Sequence, residues 1–214
     1  MGKVLGHLKP ELVWHYFEEI CQYPRPSKKE EKIAEYVVSV GKRLGLQTEK
    51  DKFGNIVIRK PATPGKENLK TVVLQGHIDM VCEKNRGVEH DFDNDPIYPY
   101  IDGDWVKAKG TTLGADNGIG VACALAVLED KDIEHGPIEC LFTLDEETGL
   151  TGASSLKKNW LKADILINMD SEELGTIFIG CSGGKNTAAT LKAKMEKSPR
   201  NYSAFELKFD GLKG

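Results

Sequence analysis

The chain opens with two stretches in which apolar residues recur at helical spacing. From Pro10 to about Gln22, the residues Leu12, Val13, Tyr16, Phe17 and Ile20 fall on one face, and a proline suits a first helical turn. Pro24 and Pro26 break that pattern. Ile33, Tyr36, Val37, Val40 and Leu44 then predict a second helix, opened by Ser27 and Glu30 as a capping box and closed by Gly45 as C-cap. Residues 47–52 and 55–59 predict two strands around a turn at Phe53 and Gly54. A short apolar strand is expected at 71–75 and another strand at 105–108, with buried strands at 138–143, 165–168 and 176–179. Residues 118–129, rich in small apolar side chains, predict a helix, and the polar stretch 83–104 reads as a long surface excursion. Strands that alternate with helices argue an α/β sheet.

Composition narrows the class. Of 214 residues, 40% are apolar and 29% charged, which is globular rather than disordered. A net charge of −4 without a long basic run argues against a nucleic-acid partner. The longest apolar run, Val121 to Leu128, is too short to span a bilayer, and the N-terminus lacks the apolar core of a signal peptide. Five cysteines without a Cys-x-x-Cys pair read as reduced thiols in a cytoplasmic protein.

The chemistry-bearing residues sit where the predicted strands end. The strand at 71–75 leads to His77 and Asp79, that at 138–143 to Asp145, Glu146 and Glu147, and that at 165–168 to Asp170; Asp116 lies in a Gly-rich loop at a helix start. In open α/β sheets, sites form beyond the carboxyl ends of parallel strands, so these residues point to one shared cluster. That many carboxylates repel one another unless a cation offsets them, and imidazole with several carboxylates suits zinc, with manganese or cobalt as substitutes. Each residue also has an ordinary reading. A lone histidine is more often packed than ligating, Asp116 would serve as a helix cap, Glu146 with Glu147 as a solvated acidic turn, and Asp170 as a turn cap. The joint order of the four segments is what favours a metal centre.

Those segments are Gly76-His77-Ile78-Asp79-Met80, Thr111-Thr112-Leu113-Gly114-Ala115-Asp116-Asn117-Gly118, Asp145-Glu146-Glu147-Thr148-Gly149 and Asn168-Met169-Asp170. Their order resembles the metal-dependent aminopeptidase–carboxypeptidase–deacylase superfamily that includes carboxypeptidase G and peptidase T. The first two, with Val81-Cys82-Glu83-Lys84-Asn85 following, are similar to its aminoacyl-histidine (Xaa-His) dipeptidase branch. The resemblance covers essentially the whole chain. It implies an α/β zinc-peptidase-like catalytic domain, with a central mixed sheet flanked by helices, and hydrolysis of Xaa-His dipeptides by a metal-activated water. It further implies two divalent metal ions, zinc first: His77 and Asp170 on one, Glu147 on the other, Asp116 bridging both. Glu146 would be the general base, Asp79 would steady His77, and the bond between Asp116 and Asn117 would be cis.

The family's second metal also takes a histidine from a later part of a longer chain, and His7, His15, His90 and His135 lie in no segment resembling that ligand. The expectation is therefore an N-terminal fragment: residues 1–185 as part of the catalytic domain, residues 186–214 as the first strands of a lid domain, and the fragment alone inactive. The complete enzyme would be a cytoplasmic homodimer acting on dipeptides. Two alternatives stand beside it: a deacylase or other dipeptidase of the same superfamily, and a non-catalytic metal-binding module.

Overall fold

The computed structural model describes residues 4–171, 173, 175–181, 190–192, 194, 197, 201, 203 and 205. In chain order its elements are α1 (Glu11–Ile20), α2 (Glu31–Arg43), β1 (Gln47–Lys50), β2 (Ile56–Lys60), β3 (Val72–His77), β4 (Pro99–Asp102), β5 (Trp105–Ala108), α3 (Ala115–Glu129), β6 (Ile138–Thr143), α4 (Glu146–Gly149), α5 (Thr151–Ser154) and β7 (Ile165–Asn168). Five strands form one mixed sheet in the order β1-β2-β6-β3-β7, and β4 with β5 makes a separate hairpin. Within the sheet β6, β3 and β7 run parallel, while β1 and β2 continue it antiparallel from β6. The expected α/β class with a mixed central sheet is what the chain adopts.

Alternation along the strands divides the core between the two faces of the sheet. Ile56, Ile58, Cys140 and Phe142 join the large core with Tyr16 and Phe17 of α1, Ile33 and Val37 of α2, and Val121 and Leu125 of α3. Val57, Val73 and Leu141 point the other way and are covered by Leu156, Trp160, Leu161 and Ala163. Every residue of β6 is buried, as expected for a strand covered on both faces. At the end of α2, Gly45 takes φ +68°, the left-handed conformation that a glycine C-cap requires.

Several local expectations give way. No capping box opens α2: its N-cap is Glu30, without a side-chain cap bond. The hydroxyl of Ser27 donates instead to Asp79, and Glu30 accepts from the Lys28 and Asp145 amides, because tertiary partners outcompete the local helix end. Residues 99–102 of the polar excursion form β4, paired with β5 across a turn at Gly103, where φ is +60°. The expected strand at 165–168 forms, but Ile165, Leu166 and Ile167 are 43%, 57% and 48% exposed rather than buried. Among the described residues β7 pairs only with β3, and neither of its faces is covered. Residues 176–179 are not a strand. Ile177 and Ile179 lie exposed, and no ladder partner occurs among the described residues.

Close packing divides the chain into units 1–175 and 176–214. All the elements above belong to the first, and no described residue of the second lies in a helix or strand. The expected boundary at 185/186, and most of the segment expected to begin a lid, lie outside the described residues.

Candidate metal centre

His77 is the last residue of β3 and is fully buried. Both of its ring nitrogens meet carboxylates. Nδ1 lies 3.1 Å from Asp79 Oδ1, and Nε2 lies 3.0 Å from Asp116 Oδ1 and 3.8 Å from Asp170 Oδ1. Positions 77 and 79 share a face because the chain stays extended past the strand end. Asp79 is fully buried and its oxygens are committed. Oδ1 also accepts the Glu146 amide at 3.1 Å, and Oδ2 accepts the Glu147 amide at 3.2 Å and the Ser27 hydroxyl at 2.7 Å. Asp79 therefore orients the histidine and at the same time anchors the turn that carries both glutamates.

Asp116 is set up by the loop before α3. Gly114 takes φ +70°, Asp116 and Asn117 have non-helical backbone, and the bond between them is cis. Gly114 is the N-cap and no side chain caps the helix, so Asp116 does not serve as the cap that an isolated reading would allow. Its carboxylate is half-exposed and faces His77. Asn117 is buried and reaches the other way: its Nδ2 donates to Met169 O at 2.8 Å and to Asp170 Oδ1 at 3.1 Å, which ties the Asp116 loop to the end of β7. That approach needs Gly76 and Gly120, since a Cβ at either position would press into Asn117 Oδ1.

The glutamates follow β6. Asp145 takes φ +50°, and its carboxylate accepts the Thr148 and Thr151 hydroxyls while its amide donates to Glu30 Oε1 at 3.0 Å. Asp145 thus holds the turn, and Glu146 and Glu147 begin α4, both part-buried. The potential ligand atoms of His77, Asp116 and Asp170 lie within 4.8 Å of one another, and so do those of His77, Glu146 and Glu147. Asp79, Asp116, Glu146, Glu147 and Asp170 therefore gather around His77 near the carboxyl ends of β3, β6 and β7, whereas the Asp145 carboxylate turns to Thr148 and Thr151.

The electrostatics follow from that crowding. Burial, with the charges of neighbouring carboxylates, holds Glu146, Glu147 and Asp170 above the ordinary carboxyl range, against the opposing pull of His77. For His77, burial disfavours the charged ring. The hydrogen bond and charge of Asp79, with Asp170 and Asp116, outweigh it and lift the imidazole to about 9. Asp79 is itself pressed upward by burial, but the bonds from His77, Ser27 and the Glu146 amide bring it down to about 2.

Two residues that shape the site, Ser27 and Asn117, were not singled out from the sequence. Ser27 looked like a helix cap, and no spacing rule links it to a carboxylate 52 positions away. Asn117 lies inside one of the four segments, but its partner Asp170 comes 53 positions later.

The sequence profile of peptidase family M20/M25/M40 matches residues 73–206. The cytosol non-specific dipeptidase of Escherichia coli K12 is 55% identical over 210 residues, covering 98% of this chain and 43% of that protein. The crystal structure of aminoacylhistidine dipeptidase from Vibrio alginolyticus superposes with a TM-score of 0.79 at 58% identity, over 80% of this chain and 35% of that one. The aminopeptidase PepT of Bacillus cereus superposes with a TM-score of 0.64 at 28% identity, over 76% of this chain and 44% of the other. The chain thus spans less than half the length of each of these relatives. A profile match over well over half of its residues places it nonetheless: this chain belongs to peptidase family M20/M25/M40.

Proposed function

We propose that this chain carries the metal-binding and proton-transfer residues of a cytoplasmic dipeptidase that cleaves dipeptides with a C-terminal histidine. The observation that carries the reading is the convergence of Asp116, Asp170, Glu146 and Glu147 on His77. The donor set fits a divalent cation. Three of its carboxyls are held above their ordinary range by burial and by each other's charge, a strain that a bound cation relieves. One imidazole among carboxylates suits zinc, with manganese or cobalt as substitutes.

His77, Asp116 and Asp170 would hold one ion, and Asp116 with Glu147 a second. Bound there, such ions supply Lewis acidity towards the scissile carbonyl and acidify the attacking water. The remaining work falls to the chain's own residues. Glu146 accepts the proton of the attacking water and returns it to the leaving amine, a task suited to a carboxyl that burial holds above its ordinary value. Asp79 holds the His77 ring in one orientation and, through the amides of 146 and 147, fixes the base relative to that ring. Retention of a base at Glu146 argues against a non-catalytic metal-binding module, which needs none.

Residues 1–185 belong, in this reading, to the catalytic domain and 186–214 to the beginning of a lid that also serves homodimerisation. The substrate is a dipeptide. Among the described residues no helix is long and apolar enough to cross a membrane. The Vibrio relative's name favours Xaa-His substrates, whereas the Escherichia relative's name, a non-specific dipeptidase, favours a broader range. Alanyl-histidine and alanyl-alanine hydrolysis by the protein containing this chain decides between them. Turnover of the first at least tenfold above the second supports the Xaa-His reading, equal turnover supports the broad one, and turnover of neither contradicts both.

A further inference from the structure

Residues 24–30 lie between α1 and α2, and nothing above uses them for chemistry, yet they touch three loops of the candidate centre. Arg25 is 97% buried, since only 3% of its surface is exposed. Its Nη1 donates to Ile78 O at 3.2 Å and to Asp79 O at 2.8 Å, and its Nη2 donates to Gly114 O. One guanidinium therefore joins the backbone just after His77 to the backbone just before Asp116. Arg25 O in turn accepts the Met80 amide at 3.2 Å, beside the parallel bridge between Pro26 and Met80. Two residues on, the Ser27 hydroxyl donates to Asp79 Oδ2 at 2.7 Å. Three further on, Glu30 Oε1 accepts the amides of Lys28 at 2.9 Å and Asp145 at 3.0 Å, the latter at the turn that presents Glu146 and Glu147.

The fit around Arg25 is specific. A Cβ at Gly114 would collide with Nη2 and lie 2.7 Å from Met80 Sδ, and one at Gly118 would lie 2.8 Å from Nη2. Two glycines leave the space that the planar fork fills. Removing an arginine from water is costly, and here three backbone carbonyls and the nearby charges of Asp79 and Asp116 offset that cost. A lysine would keep the charge but could not span carbonyls on two loops in one plane. Pro24 and Pro26 restrict φ on either side of Arg25, so the strap is stiff before it makes any contact.

We propose that Arg25, Ser27 and Glu30 are positioning residues for the metal centre: one strap that fixes the His77–Asp79, Gly114–Asp116 and Asp145–Glu147 loops relative to one another. This rests on the metal-binding reading above. Ser27 acts through Asp79, Arg25 through the carbonyls flanking the ligand loops, and Glu30 through the Asp145 amide.

The test is a zinc titration of the chain by calorimetry, with the thermal transition of the metal-free protein measured in parallel. Ser27→Ala should weaken zinc binding about tenfold or more, the usual effect of losing a group that orients a ligand's own partner. Its metal-free transition should stay within about 2 °C of wild type, since the hydroxyl is one hydrogen bond among many. Ser27→Thr, which keeps the donor, should restore affinity to within about threefold. Arg25→Lys should also weaken binding, and Ser27→Ala keeps the proposal testable if the arginine variant fails to fold. Unchanged affinity in Ser27→Ala, or a loss that Ser27→Thr does not rescue and that tracks a matching fall in thermal stability, overturns the positioning role. A wild-type chain that binds no zinc overturns the metal reading itself, and this inference with it.

Discussion

Asp79 Oδ1 lies 3.1 Å from His77 Nδ1, and the same carboxylate accepts the backbone amides of both Glu146 and Glu147. One buried side chain therefore sets the orientation of the imidazole and the placement of the two glutamates across from it. Replacing it should disturb both together. Asp79→Asn keeps the shape but turns one accepting oxygen into a donor facing an amide N–H or the Ser27 hydroxyl. We expect zinc affinity to fall about 10- to 100-fold. Calorimetric titration measures it, and wild-type affinity in Asp79→Asn would contradict the assigned role.

Glu146 and Glu147 are adjacent in sequence but are given different tasks. Glu146→Gln is nearly isosteric and cannot take a proton, so hydrolysis should drop by at least about 100-fold while metal binding persists. Glu147→Gln should weaken metal binding instead. Parallel titration and dipeptide assays of the two variants separate these outcomes, and the opposite pattern would exchange the roles.

Gly76 precedes His77 in β3, and a methyl group there would press into Asn117 Oδ1. Asn117 is buried and bonded to Met169 O and Asp170, so it has little room to yield. Gly76→Ala should destabilise the fold by about 1–3 kcal/mol through overpacking and should also displace Asp170. Chemical denaturation gives the first number and zinc titration reports the second; a variant as stable and as tight as wild type would show that the pocket is slack.

Away from the centre, Glu129 accepts Arg43 Nη2 at 2.9 Å and the hydroxyl of Tyr16. The bond to Arg43, then that to Tyr16, holds its carboxyl below the ordinary glutamate value in the folded chain. A depressed folded pKa contributes stability that is present above the unfolded value and is lost as pH falls through the folded one. The group is near the surface, so the contribution should be at most about 1 kcal/mol. Glu129→Gln should therefore cost most of that amount at pH 7 and progressively less as pH falls below the ordinary glutamate value of ~4. Urea midpoints across that range test the sign, and a larger loss at low pH than at neutral pH would contradict it.

Much of this fold was legible because periodicity in a covered sheet is strong. The apolar runs of β3 and β6 and the helical spacing of α1 and α2 stand out in one dimension. The candidate site was legible because its proposed ligands, Asp116 apart, follow strand ends in a fixed order, and parallel pairing of β6, β3 and β7 brings those ends together. What escaped depended on partners distant in sequence. Ser27 and Glu30 have the spacing of a capping box, yet they bond to Asp79 and Asp145. β7 has the composition of a buried strand, but burial depends on what packs against it, and apolarity alone cannot report that. β4 was hidden in a polar stretch because a surface hairpin needs only its turn and its partner.

In the proposed assignment His77, Asp116 and Asp170 hold one ion while Asp116 and Glu147 hold a second, so two ions bound in this way should bind unequally. Zinc titration should resolve one tight event and one at least about tenfold weaker, since carboxylates without an imidazole make a poor zinc site. Two equally tight events would mean that a further ligand completes the second position.

The central claim is that a metal sits against His77, and anomalous diffraction at the zinc absorption edge from zinc-soaked crystals tests it most directly. The account predicts a strong peak bounded by His77 Nε2, Asp116 and Asp170, with any weaker peak between Asp116 and Glu147. A map with no peak at His77, or with zinc bound at other residues while this cluster stays empty, would contradict it.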